Sequence, residues 1–265
     1  MNEVLRSIIF NKSVVTEDGI TRPLHSAISQ GEGDFIQEMI RSARPQVSLE
    51  VGCAYGVSSL FICEALREVG ADRHIVIDPY QHSHWEGIGL ANLRRAGYAD
   101  IIDFHEVVSY QYLARLTEEH VTIDFAFIDG QHTFDYVLVD FFLIDKLLKP
   151  GGIIIFDDFS YPSIRSVCRY VLSNLRYKPP IPRAAGAGGI TKVCIARAPT
   201  RDRPISESAA EPHHRTSVAN ACLARRSILE GAGERAAAPH TWYGLRATRI
   251  SELCRFTKTG ARSHR

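Results

Sequence analysis

From residue 46 to residue 195 the chain alternates short, unbroken apolar runs with longer stretches whose apolar positions recur every three or four residues. Runs such as "FAFI" and "IIIF" predict strands covered on both faces, because a strand with one wet face would alternate. Strands are expected at Val47 to Val51, His74 to Asp78, Ile101 to Glu106, Ile123 to Asp129 and Gly152 to Asp157. Between the last two, Phe134, Val137, Leu138, Phe141, Ile144, Asp145 and Leu148 fall on one helical face, with Asp145 its single polar member. Pro150, Gly151 and Gly152 are expected to stop that helix. Further helices are expected at Glu32 to Ser42, Ser58 to Val69 and Tyr161 to Asn174, and Lys178 to Gly189 reads as a loop before a closing strand at Ile190 to Ala196. Alternation of this kind specifies an α/β fold with a doubly wound, mostly parallel sheet.

Composition changes the picture at the carboxyl end. The periodicity dissolves after residue 197 into an Arg, Ala and Ser-rich tail, expected to be disordered or to reflect an altered reading frame. Up to Ile195 there are 18 Lys+Arg against 24 Asp+Glu, a balance of −6; beyond it there are 13 against 6, a balance of +7. The chain thus divides into a helical amino-terminal segment (1–45), a central domain (46–197) and the tail (198–265). The acidic part offers no nucleic-acid face. Apolar runs of only a few residues, with no leader pattern, predict a soluble, cytoplasmic protein without a membrane partner. Six cysteines lack any CxxC pair, which leaves no zinc knuckle or thiol redox motif.

The stretch "SLEVGCAYGVSSL" carries a strand into a helix through Glu50, Gly52, Ala54 and Gly56. Glycines allow a tight turn and a close backbone approach, and the helix start offers free N–H donors to an anion. Ser58 lies in that first turn, where it either meets a ligand carboxylate or simply caps the helix. One strand later "HIVIDPY" supplies Asp78, an acid able to accept both hydroxyls of a ribose. Acid-GxxxG spacing differs from the GxGxxG of dinucleotide binders, which ranks an NAD-linked oxidoreductase low.

Neighbouring parallel strands open their carboxyl ends on one edge of the sheet, so Asp129 and the pair Asp157 and Asp158 should converge. Three crowded carboxylates repel unless something neutral or positive intervenes. A hard divalent cation such as Mg²⁺ would relieve this; a polar loop start is the plainer alternative. His132, three residues beyond Asp129, is read as a catalytic proton acceptor or else as a helix cap. His82, His84 and His105 have weaker claims.

"DGQHTFDYVLVDFFLIDKLLKPGGIIIFDD" together with the ExGxxxG turn resembles class I S-adenosylmethionine-dependent methyltransferases, in the DGxH group of small-molecule and sugar O-methyltransferases related to catechol-type enzymes. The match runs from about Leu24 to Ala196. It implies a seven-stranded Rossmann-like sheet with an antiparallel closing strand, S-adenosyl-L-methionine as methyl donor, and a small hydroxylated substrate. By position it implies Asp129, Asp157 and Asp158 as ligands of Mg²⁺. It likewise implies that Glu50, Gly52, Ala54, Gly56, Ser58, Asp78, Val108, Ser109 and Asp129 line the cofactor, the turn at Val108 and Ser109 lying along the adenine. Catechol-type enzymes carry a lysine base where this chain has His132, so the base stays open. A metal-independent methyltransferase and a non-catalytic binding or scaffold protein remain as alternatives, and homo-oligomer formation is also left open.

Overall fold

The computed structural model describes residues 1–177 and the backbone of Cys194–Arg197. In chain order these residues form α1 (Glu3–Asn11), β1 (Ser13–Val15), β2 (Thr21–Pro23), α2 (Gln30–Ala43), β3 (Val47–Val51), α3 (Val57–Val69), β4 (Arg73–Ile77) and α4 (Ile88–Arg95). They continue with β5 (Ile102–His105), α5 (Ser109–Glu118), β6 (Ile123–Ile128), α6 (Phe134–Leu147), β7 (Leu148–Phe156), α7 (Pro162–Asn174) and β8 (Cys194–Arg197). All belong to the first of the chain's two units, Met1–Ile205. The expected loop at 178–189 and the expected tail at 198–265 lie outside the described residues.

Five strands run parallel in the order β5-β4-β3-β6-β7, and β8 closes the sheet antiparallel to β7. The mostly parallel class and the antiparallel closing strand are as expected; among the described residues the sheet has six strands rather than seven. The order reverses between β3 and β6, which is where ligands bind in such sheets.

Alternate side chains of the central strands feed two cores. Phe125 and Phe127 of β6 and Ile153 and Ile155 of β7 pack on the side of α1, α2, α3 and α4. Leu49, Ile75, Ala126, Ile128 and Ile154 pack on the side of α5, α6 and α7. Burial on both faces is why these strands read as continuous apolar runs. Among the described residues no helix is long and apolar enough to cross a membrane.

Three expectations need correction. The amino-terminal segment is not wholly helical, because a short antiparallel pair, β1 with β2, follows α1; three-residue strands carry too little pattern to be read. Helices α4 and α5 had no counterpart in the sequence reading, both being short and largely polar on their outer faces. The face expected on α6 holds in its centre, with Val137, Phe141, Ile144 and Leu148 buried, but it also takes in Asp140 and Leu147, whereas Phe134 is exposed and Asp145 half-buried. The helix ends at Leu147, and the residues expected to stop it, Pro150 to Gly152, already belong to β7.

Candidate active site

Register places the chemistry. The last residues of four parallel strands, Ile77, Val51, Ile128 and Phe156, are paired across the sheet. The next residue of each chain segment continues the ladder by one N–H: Gly52 donates to the Ile77 carbonyl (2.9 Å), Asp129 to that of Val51 (2.9 Å) and Asp157 to that of Ile128 (3.0 Å). Asp78, Gly52, Asp129 and Asp157 therefore leave the sheet as a row, one strand spacing of about 4.8 Å apart.

Within this row Gly52 is irreplaceable for two reasons. Its φ is +94°, and a Cβ there would overlap the carbonyl oxygen of Asp129. Ala54 and Gly56 also take left-handed conformations, with φ of 47° and 76°, so the turn alternates in hand and delivers α3 with no side chain capping its first turn. Those first N–H groups remain available to an anion. Ser58, half a turn into α3, is buried.

Asp78 holds this turn in shape. Its Oδ2 accepts from the N–H of Cys53 (3.0 Å) and of Ala54 (2.9 Å), and its Oδ1 accepts from the N–H of Tyr80 (2.8 Å). Three of the carboxylate's roughly four lone-pair sites are thus taken by the protein itself. Two residues that the sequence reading passed over complete the clamp. Gln81 Nε2 donates to the Ala54 carbonyl and Asn92 Nδ2 to that of Tyr55, each at 3.0 Å. Gln81 stands in the "DPYQ" segment, three residues after Asp78, and its spacing was the only available signal.

Glu50 lies beneath the turn rather than on its surface. It is fully buried. Its Oε2 accepts from the Ser59 hydroxyl and sits 3.0 Å from His74 Nε2, while His74 Nδ1 is 2.8 Å from the Ser48 hydroxyl. Ser48 and His74 are directly paired on β3 and β4, so the polar group is an inter-strand device under α3. His74 was missed because a histidine inside an apolar strand has no distinguishing pattern.

At the other end of the row the acids meet. His132 Nε2 is 3.3 Å from Asp129 Oδ1, and His132 Nδ1 is 3.5 Å from Asp158 Oδ2. Donor atoms of Asp129, His132 and Asp158 all lie within 4.8 Å of one another. About a quarter of each side chain is open to solvent. Asp157 stands outside this trio, buried beside Asp129. Of the expected ligands Asp129, Asp157 and Asp158, the structure brings the first and the last together with His132. Burial, then the neighbouring Asp157, Glu50 and Asp158, push the Asp129 carboxyl well above its ordinary range. Asp158 itself has φ +51°, a conformation that aspartate tolerates better than most residues; here it turns the second acid of the pair toward His132. His132 does not cap α6, whose N-cap is Thr133, and its carbonyl accepts from the Ser163 hydroxyl of α7.

Val108 and Ser109 open α5, as N-cap and first residue. The Ser109 hydroxyl donates to Asp140 of α6 (2.6 Å), in a buried pair, and keeps its acceptor lone pairs. Burial raises the Asp140 carboxyl to about 6, the Ser109 hydrogen bond opposing part of that rise. His82 pairs with Glu106, and His105 stacks on Tyr112 with centroids 3.8 Å apart.

Comparison with known proteins agrees with this geometry. Residues 49–159 match the family model described as a methyltransferase domain. Caffeoyl-CoA O-methyltransferase 2 of Zea mays is 32% identical over 133 residues, covering 49% of this chain and 48% of that protein. Caffeoyl-CoA O-methyltransferase 1 of Arabidopsis thaliana is likewise 32% identical over 133 residues, 49% of each chain. The chain spans about half the length of the curated relatives it matches. Among solved structures, the O-methyltransferase from Bacillus cereus in complex with SAH superposes with a TM-score of 0.58 at 19% identity, over 75% of this chain and 91% of that one. TomG from Streptomyces achromogenes in complex with SAM gives 0.59 at 18% identity, over the same shares. These likenesses establish the Rossmann-like methyltransferase fold.

Proposed function

With a methyltransferase domain at residues 49–159 as premise, we propose that the chain is an S-adenosylmethionine-dependent O-methyltransferase acting on a small hydroxylated molecule. The carrying observation is the row at the sheet edge, in which the glycine turn and the acid cluster touch through Gly52 and the Asp129 carbonyl. A methyl donor seated on the turn would present its reactive carbon beside the cluster, and holding two reactants in line supplies much of such an enzyme's advantage.

The chain's own residues then divide the work. First-turn N–H groups of α3 receive the donor's carboxylate, and Asp78, Gln81 and Asn92 keep the turn from relaxing. Asp129, His132 and Asp158 would hold a divalent cation: their donor atoms converge, and a cation relieves the carboxylate crowding that raises Asp129. When bound, such an ion would assist ionisation of the substrate hydroxyl as a Lewis acid. The two carboxylates suit Mg²⁺, while an imidazole ligand widens the choice toward softer ions.

His132 supports a second, metal-independent reading. An imidazole set between two carboxylates is oriented by them, so it could accept the hydroxyl proton unaided. Mg²⁺ added back to chelator-stripped protein, with transfer of a labelled methyl group to a catechol or sugar panel as readout, separates the two. Rate restored by the ion, and lost in Asp129→Ala with SAH binding retained, supports the metal reading. Undiminished transfer without any ion supports the histidine reading. No SAH binding by calorimetry in the unmodified chain would sink both and leave a non-catalytic protein on a methyltransferase fold.

A further inference from the structure

Four of the six exposed positions of helix α6, Asp135, Val139, Phe142 and Lys146, are spaced by four, three and four residues. That is the repeat of a helix–helix seam, and these positions are absent from the set that α6 buries in the core. Val139 is 42% exposed and Phe142 56%, on the side of a surface helix that is ordinarily polar. Beside them, between α5 and α6, a hollow of about 310 Å³ is lined by Tyr110, Asp135, Tyr136, Val139 and Asp140. The Tyr110 and Tyr136 rings stand edge to face, 6.1 Å apart, and both side chains are also exposed.

The stripe reads the same from either end once charge is inverted. Reversal about the point midway between Val139 and Phe142 exchanges those two apolar residues and exchanges Asp135 with Lys146. We propose that this face is a twofold interface between two copies of the chain, α6 packed antiparallel on α6. Val139 of each copy then meets Phe142 of the other, and Asp135 meets Lys146 at both ends, which is the self-complementarity that a closed dimer requires. Phe142, the more exposed of the two apolar side chains, enters the hollow beside Tyr110 and Tyr136, in the manner of a knob in a hole. An unlike partner would give no reason for the inverted-charge symmetry. The interface uses none of the residues in the acid row, so it stands or falls separately from the methyl-transfer reading.

Sedimentation velocity of the full chain over a wide concentration range tests this. A dimer is expected, converted to monomer by Phe142→Asp. Asp135→Lys and Lys146→Asp should each weaken association about tenfold, because two individually weak surface pairs per dimer change sign. The double variant Asp135→Lys/Lys146→Asp should regain the wild-type association. Circular dichroism checks the fold of each variant, and Val139→Lys probes the same face if Phe142→Asp does not fold. A chain that is monomeric at every concentration overturns the proposal, leaving the stripe to an unlike protein. A dimer indifferent to both apolar substitutions, or a double variant as weak as the singles, overturns it equally.

Discussion

Gly52 and Asp129 meet backbone to backbone: the carbonyl oxygen of Asp129 occupies the space that a Cβ on residue 52 would need. The glycine turn and the acid cluster are therefore adjacent by construction, and no side-chain rearrangement can separate them. Because the contact is made by the Asp129 carbonyl, substitutions of the Asp129 side chain leave it intact.

Gly52→Ala is expected to be among the most damaging single changes. Left-handed strain and displaced backbone together should cost roughly 2–4 kcal/mol. A urea titration of the apo protein would register the lost stability, and calorimetry with SAH should show binding abolished. An alanine variant of wild-type stability would mean that the turn is not built this tightly.

Asp78→Asn distinguishes a clamp from a ribose ligand. An amide oxygen in place of Oδ2 still serves the N–H groups of Cys53 and Ala54, but the NH₂ group then faces the N–H of Tyr80, which Oδ1 accepts in the wild type, so the ligand-free protein should lose roughly 1–3 kcal/mol. If Asp78 served a ribose alone, the unfolding midpoint without ligand would stay put and only SAH affinity would fall.

His74→Leu strips one polar neighbour from the buried Glu50 carboxylate, whose Oε1 already has no hydrogen-bond partner. A poorly satisfied buried acid costs on the order of 1–3 kcal/mol, more if charged. Chemical denaturation should show that loss, and Glu50→Gln in the same background should restore part of it. Simple additivity of the two losses would contradict the coupling.

Asp140 gives the fold a specific pH dependence. Its folded pKa, about 6, lies above the ordinary 3.8, so the folded state holds a proton that the unfolded state releases. Stability from this source is fully present below about pH 3.8 and is lost as pH rises through about 6, by roughly 3 kcal/mol in all. Relative to Asp140→Asn, which keeps an acceptor for Ser109, the wild type should become less stable across that window. Parallel stability curves for the two proteins from pH 4 to pH 7 would refute the shift.

Much of the site was legible before any coordinates because period and punctuation are local. Continuous apolar runs marked the strands, and the acid-GxxxG turn and the aspartates after β6 and β7 marked their ends. Misreadings fell where a tertiary neighbour decides. On α6, Asp145 stood out as the polar member of an apolar face, yet the fully buried carboxylate is Asp140, because the packing of α5 on α6 brings Ser109 to it. Glu50 and Asp78 were read as lining a cofactor, and the partners each finds within the protein, Ser59 and His74 for one and the turn's own N–H groups for the other, had no local signal.

By itself the sequence determined which segments form the parallel sheet, where its carboxyl edge carries acids and where the chain must turn left-handed, since hydrophobic period and glycine placement act over a few residues. Only the tertiary structure decided which donor atoms converge. Strand register sets Gly52 against Asp129, and the turn of the chain at Asp158 sets His132 between two carboxylates. Such distances depend on how separate segments pack, and no local pattern encodes them.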